Sequence, residues 1–186
     1  SLRELLDEVR RAVEESNREL ERLLEEVDRS NRESHRELKR LLEKIKKLAE
    51  EVERELERKG TSEDEKKKLD DEKEKLDRLL RKLEEESKEA KERNDERMRR
   101  LRKESEEVKR TLEEIERRLE KQGDVSEEEV KKAVEDLKRL VDTHKKRVEE
   151  VIDELRKHSE KHSEEVRRVI TELARRLEEL LDEIRR

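Results

Sequence analysis

Two short stretches of the chain combine side chains that could do chemistry. Residues 30–37 read SNRESHRE, and residues 158–165 read HSEKHSEE. Serine can act as a nucleophile, and histidine can act as a general base or as a metal ligand. Histidine occurs only four times in this chain, of which 60% is Asp, Glu, Lys and Arg. The grouping therefore has to be explained by catalysis, by metal binding or by structure.

Catalysis is the least supported of the three explanations. Nucleophilic catalysis needs an oriented base, donors that stabilise an oxyanion, and a concave site. Straight helices, which the rest of the sequence predicts, offer no free backbone N–H groups in their interior and no cleft. We therefore predict that the chain is not an enzyme, with no catalytic residues, no cofactor and no small-molecule substrate.

Metal binding is a stronger alternative. His158 and His162 are four residues apart on one helix, and the register derived below places His35 at the same height. Three histidines could hold zinc. No carboxylate or cysteine is clearly placed as a fourth ligand, and serine is a poor one. We favour hydrogen bonding over a metal site, and zinc stays the open alternative.

Composition excludes several other classes of partner. The chain has 53 basic and 59 acidic residues, interspersed, with no aromatic residue, proline or cysteine. A basic stripe and base-stacking aromatics are both missing, so no nucleic-acid partner is predicted. No apolar run approaches the ~18 residues of a membrane span, and no signal peptide is visible. These features predict no membrane partner, and they do not indicate a localisation.

The sequence contains two helix breaks, KGTSEDE at 59–65 and QGDVSEEE at 122–129. Each break has a glycine at the position after a helix C-terminus, Gly60 and Gly123. Each then has a serine N-cap with glutamate three residues later, at Ser62 and at Ser126. The predicted organisation is one helical-bundle domain over 1–186, with helices at about 2–59, 63–122 and 127–185 and loops at 60–62 and 123–126.

The apolar residues repeat every eighteen positions. Eighteen residues make five turns at 3.6 residues per turn, so no supercoil is forced. The rows of helix 1 are Leu2/Leu20/Leu38/Leu56, Leu5/Leu23/Leu41, Leu6/Leu24/Leu42 and Val9/Val27/Ile45. The prediction is an all-α fold, an up-down-up bundle of three long, nearly straight antiparallel helices of about 60 residues each.

The polar residues fall into two layers when the chain is folded on its loops. Helix 1 position n then lies beside helix 2 position ~122−n and helix 3 position ~127+n, to within about a turn. The first polar layer is Ser16, Asn17, Ser105, Thr143 and His144. The second polar layer is Ser30, Asn31, Ser34, His35, Ser87, Asn94, His158, Ser159, His162 and Ser163. Buried polar groups must find partners, so we predict a buried hydrogen-bond network that fixes register and helix order.

Taken together, these features resemble de novo designed helical bundles built on parametric backbones with buried hydrogen-bond networks. The resemblance rests on the eighteen-residue rows, the SN, SH, TH and HS steps at matched heights, and the capped GTSE and GDVSEEE loops. It covers the whole chain. It implies a soluble, very stable scaffold with no natural activity. Designs of this kind include self-contained bundles, subunits of heterodimers, and bundles whose buried histidines make assembly pH-dependent.

Two functional hypotheses follow. In the first, the chain is a self-contained scaffold whose stability falls in acid, because burial disfavours the charged form of His144 and His162. In the second, the chain is a subunit of a homo- or hetero-oligomer. The apolar arcs of helices 1 and 3 are wider than that of helix 2, which leaves an apolar groove for a partner helix or another copy. The polar layers would then encode partner choice.

Overall fold

Three long α-helices account for nearly all of the chain. The computed structural model describes residues 2–60, 62–121 and 126–186, with the backbone only at Leu2. The helices are α1 (Leu2–Lys59), α2 (Glu63–Lys121) and α3 (Glu127–Arg185), and the described residues contain no strand. The all-α prediction is confirmed, whereas the straight course of each helix stays a prediction.

The helix ends follow the predicted capping residues where the structure describes them. Gly60 has a φ of 64°, the left-handed conformation that follows many helix C-termini. Ser126 immediately precedes α3, and its Oγ accepts a hydrogen bond of 3.3 Å from the backbone N–H of Glu129. Three glutamates then occupy the first turn of α3, where the helix dipole favours negative charge. The predicted glycine cap at Gly123 lies outside the described residues.

The chain divides into two compact units, each built from segments of all three helices. Unit 1 comprises Ser1–Asp28 and Arg93–Arg156, and unit 2 comprises Arg29–Glu92 and Lys157–Arg186. Unit 1 has two apolar clusters, one containing Val9, Leu112 and Val134 and the other containing Leu20, Leu101 and Ile152. Unit 2 has one large cluster. Within each unit, three helices therefore pack around a shared core, as predicted for a three-helix bundle.

Cross-helix ion pairs show how the helices run. In unit 1, Arg10 of α1 pairs with Glu116 of α2, and Arg102 of α2 pairs with Glu21 of α1. Because a higher number on α1 meets a lower number on α2, these two helices are antiparallel. In the same unit, Arg156 of α3 pairs with Glu26 of α1, and the apolar cluster near the start of α1 includes the start of α3. α1 and α3 are therefore parallel, which is the predicted up-down-up order.

The eighteen-residue rows lie where the helical wheel predicts. Val9, Val27 and Ile45, one row of α1, are all buried. The narrower apolar arc of α2 leaves Leu79, Leu80, Ala90 and Leu119 only half-buried. The row Leu5, Leu23 and Leu41 is half-buried along its length. The faces of the helices thus follow from residue spacing, because residues eighteen apart lie on the same face after five turns.

Candidate functional site

The first polar layer lies in unit 1 and joins α1 to α2. Ser16 and Ser105 are buried and Asn17 is half-buried. The Ser105 hydroxyl donates a hydrogen bond to Oδ1 of Asn17. Thr143, which was predicted in the same layer, is exposed on α3. The layer therefore contains a side-chain bond between helices at the height where the sequence placed it.

His144 is the most deeply buried polar residue of this layer, with 4% of its surface exposed. Its Nδ1 lies 3.2 Å from Oε2 of Glu104 on α2. The other oxygen of Glu104 accepts a hydrogen bond from Arg147, one turn further along α3. Nε2 of His144 is buried and has no hydrogen-bond partner among the residues that the structure describes. One glutamate thus connects a buried imidazole to a surface guanidinium.

In unit 2, an equivalent cluster occurs eighteen residues along each helix. Oγ of Ser87 lies 3.5 Å from Nδ1 of His35, which takes the place of Asn17 one repeat later. Nδ1 of His162 lies 3.4 Å from Oε2 of Glu86. His162 is 30% exposed, whereas His144 in the corresponding pair of unit 1 is 4% exposed.

Two further bonds in unit 2 join α1 to α3. The Ser159 hydroxyl donates to Oδ1 of Asn31 at 3.0 Å, and the Ser34 hydroxyl donates to Oγ of Ser163 at 3.4 Å. All four residues are half-buried. The second polar layer therefore contains bonds from α1 to both of the other helices.

Three members of the predicted second layer differ from the prediction. Ser30 and His158 are exposed, so their placement in a buried network is corrected. Both were predicted on the edges of the apolar arcs, and the packed helices leave those edges in solvent. Asn94 is half-buried and belongs to unit 1, whereas the rest of the layer belongs to unit 2.

The observed bonds agree with the register predicted from the loops. The residue numbers add to 122 in both bonds between α1 and α2, Ser105–Asn17 and Ser87–His35. They differ by 128 in Ser159–Asn31 and by 129 in Ser34–Ser163. Short capped loops fix where each helix starts, and the rise per residue then sets which residues face one another.

Sequence reasoning missed the two glutamates that contact the histidines. Glu104 and Glu86 each precede a predicted layer serine and are themselves eighteen residues apart. Charged residues were assigned to the solvated faces, whereas both glutamates are half-buried and reach the seam between α2 and α3. One signal in the sequence could have identified them. A Glu–Ser step recurs after eighteen residues on α2, and two histidines recur after eighteen residues on α3 at the matching heights.

The described residues contain no group of three or more His, Asp or Glu side chains placed to hold a metal ion. His35, His158 and His162, the zinc ligands considered from the sequence, do not form such a group. Within the same residues, no helix is long and apolar enough to cross a membrane.

Two arginine forks change the ionisation of exposed glutamates. Hydrogen bonds from Arg22 lower the pKa of Glu19 below its usual value of 4.5, and hydrogen bonds from Arg175 do the same for Glu172. A carboxylate whose pKa is lowered on folding adds stability above its unfolded pKa, and that stability is lost as pH falls through the folded pKa. The contribution is small because all four groups are exposed.

We expect Arg22→Gln to return the pKa of Glu19 toward 4.5 and to leave that of Glu172 unchanged. The reason is that glutamine lacks the positive charge and the guanidinium fork whose two N–H groups bond both oxygens of Glu19. Carboxyl titration followed by NMR measures both pKa values in one sample, and Glu172 serves as the internal control. A Glu19 pKa that stays low in the variant would contradict the assignment to Arg22.

Comparisons with known proteins add evidence of structural similarity. No protein-family model matches the chain, and no curated protein matches it. The chain is similar to a solved structure described as a computationally designed three helix bundle, with 23% sequence identity and a TM-score of 0.43. The similarity covers 98% of this chain and 88% of that one. The fold is therefore assigned from the packing of the helices within each unit.

Proposed function

We propose that the chain is a designed structural scaffold whose polar layers specify the register and pairing of its helices. The observation that carries the proposal is the agreement of register among the polar bonds. The residue numbers of the two partners add to 122 in both polar bonds from α1 to α2. They differ by 128 or 129 in the two polar bonds from α1 to α3. Any slip between helices would separate these partners and leave the buried Ser105 and seven half-buried polar residues unpaired, which is costly.

Apolar packing alone supplies less of this specificity. The apolar rows repeat along each helix, so a shifted helix still places leucine or valine against leucine or valine. Polar partners interrupt the repeat at a few heights only. Replacing a buried polar pair with apolar residues is often neutral or stabilising, and the polar pair is retained for specificity in some well-studied coiled coils. The proposed role of the polar layers is therefore specificity.

The test of this proposal separates the polar layers from the loop that also fixes register. The loop at 60–62 is extended by a flexible Gly/Ser segment of about eight residues, so that it no longer sets the height of α2. Glu21→Cys is combined either with Arg102→Cys, its observed partner, or with Glu120→Cys, one eighteen-residue repeat away on the same face of α2. A thiol cross-linker of short span then reports which pair is in register. The chain has no native cysteine to interfere.

We expect only the matched pair to cross-link while the polar layers are intact. The same cysteine pairs are then compared in a background carrying Asn17→Leu, Ser105→Ala, His35→Leu and Ser87→Ala. There the shifted pair should also cross-link, because fewer polar partners then oppose a slip between the repeating apolar rows. Equal cross-linking of the shifted pair with the layers intact would contradict the proposal.

A response to pH is part of the proposal and is assigned to His144. Charging this ring means placing an imidazolium in a site that is 4% exposed. Glu104 faces the ring from α2, but Arg147 already neutralises it, and the residues of α1 in this layer, Ser16 and Asn17, are uncharged. We propose that this buried ring makes the fold less stable in mild acid than at neutral pH.

We expect His144→Gln to reduce the loss of stability between neutral pH and mildly acidic pH. His162→Gln is the matched control, because His162 lies one repeat away beside Glu86 and is accessible to water. Denaturant midpoints at the two pH values measure the effect, and both variants share the background titration of the carboxylates. An equal pH response in the wild type and in His144→Gln would remove the pH-sensitive role from this histidine.

We propose that this scaffold is a monomer rather than the subunit of an oligomer. Leu140 and Val169 are the only large apolar side chains exposed among the described residues, at 42% and 45%. Single exposed apolar residues of this kind are normal for a monomer surface. Light scattering should give the chain mass, 22.8 kDa, at every concentration. A multiple of that mass would favour the oligomer instead.

A further inference from the structure

The side chain of His144 has one ring nitrogen whose bonding the protein does not complete. Glu104 faces Nδ1 at 3.2 Å, and a carboxylate can only accept a hydrogen bond. The hydrogen of the neutral ring therefore lies on Nδ1, and Nε2 presents a lone pair. Nε2 is buried and accepts no hydrogen bond from any described side chain or backbone group.

A buried acceptor of this kind needs a donor. Most buried polar atoms in proteins are hydrogen-bonded to protein or to ordered water, and the exceptions require an explanation. Buried waters bind where two or more polar groups meet in an otherwise closed interior. The surroundings of Nε2 therefore have to supply a second polar group.

The first polar layer contains such groups at the height of His144. Ser16 on α1 and Ser105 on α2 are both buried. Ser16 and His144 are 128 positions apart in the sequence, the same offset as in the bonded pair Asn31–Ser159. A serine hydroxyl can both donate and accept, so it can bond to a water that donates to the histidine.

We propose that one water molecule binds in unit 1, donating a hydrogen bond to Nε2 of His144 and bonding to the hydroxyl of Ser16. The water completes a chain from α1 through His144 and Glu104 to Arg147. The first polar layer is then hydrated, and the ring of His144 is held at both nitrogens. This inference shares one requirement with the proposed function, which is that His144 stays buried.

A crystal structure of the full chain, at a resolution where ordered waters are visible, tests the site directly. The expected result is a water about 2.7–3.2 Å from Nε2 of His144. Two results would overturn the inference: a protein donor bonded directly to Nε2, or a closed apolar contact at that atom. Neither result affects the register test, which depends on cross-linking between α1 and α2, so the two proposals fail separately.

Solution NMR tests the second partner of the water. A cross-peak between water and the His144 ring should be present in the wild type and lost in Ser16→Ala. Ser34→Ala is the matched control, since Ser34 occupies the same row one repeat later and lies in unit 2. This control should keep the cross-peak. A cross-peak that persists in Ser16→Ala would overturn the bridge to α1, and no cross-peak in the wild type would overturn the site.

Discussion

Replacing Leu137 with alanine should lower the free energy of unfolding by about 2–5 kcal/mol. Leu137 is 1% exposed and lies in the unit 1 cluster formed by α1, α2 and α3. Truncation removes apolar contacts and leaves a cavity, because close-packed neighbours relax only in part. Denaturant unfolding followed by circular dichroism gives the free energy at neutral pH.

Leu140→Ala is the control for this prediction. Leu140 lies one turn further along α3 and is 42% exposed, so the same substitution creates no cavity there. We expect its effect to stay within about 0.5 kcal/mol, as for other surface changes. Alanine has a higher helix propensity than leucine. This effect should stabilise both alanine variants slightly and to the same extent, so it does not account for a difference between them. Equal losses at both positions would show that Leu137 does not lie in a packed core.

The contrast between these two leucines shows what sequence could predict. Both lie on the apolar side of α3, three residues apart, and a helical wheel separates them by less than a right angle. The centre of a wide arc is buried whatever the details of packing. At its edge, burial depends on how far the neighbouring helix reaches. His158 shares the eighteen-residue row of Leu140, and both are exposed.

Register was predictable because the chain encodes it twice. The loop at 60–62 is short and ends at a serine cap, so α2 has little freedom to start elsewhere. The polar residues then repeat at matching heights. Neither signal requires knowledge of side-chain conformations, and both observed bonds between α1 and α2 follow the predicted sum.

The partners of the histidines could not be predicted in the same way. Glutamate has a long, flexible side chain whose carbon stem can lie along an apolar seam while its charge turns inward or outward. Composition assigns such residues to the surface, which is correct for most glutamates in this chain. Glu104 is the exception with the greatest consequence, because its carboxylate faces Nδ1 of the buried His144 ring. Its role depends on the positions of His144 and Arg147 together.

Removing this carboxylate should therefore have a measurable cost. We expect Glu104→Ala to lower the free energy of unfolding by about 1–3 kcal/mol, because Nδ1 of His144 loses the acceptor it contacts in a buried site. Arg147 is exposed and can bond to water instead, so the loss of its ion pair with Glu104 adds little to the cost. Glu104→Gln keeps an acceptor oxygen without the charge and should recover part of the difference. Denaturant unfolding at neutral pH compares the three proteins.

Glu86→Ala is the matched control, since Glu86 lies one repeat away on α2 and faces His162 in the same manner. Both partners there are accessible, with 30% of the His162 side chain and 41% of the Glu86 side chain exposed. Water can replace the carboxylate at such a site, so the cost should stay below about 1 kcal/mol. The difference between the two alanine variants measures what burial adds to the same histidine–glutamate contact. If both variants lose equal stability, the contact in unit 1 has no special role and the assignment of specificity to buried polar pairs is weakened.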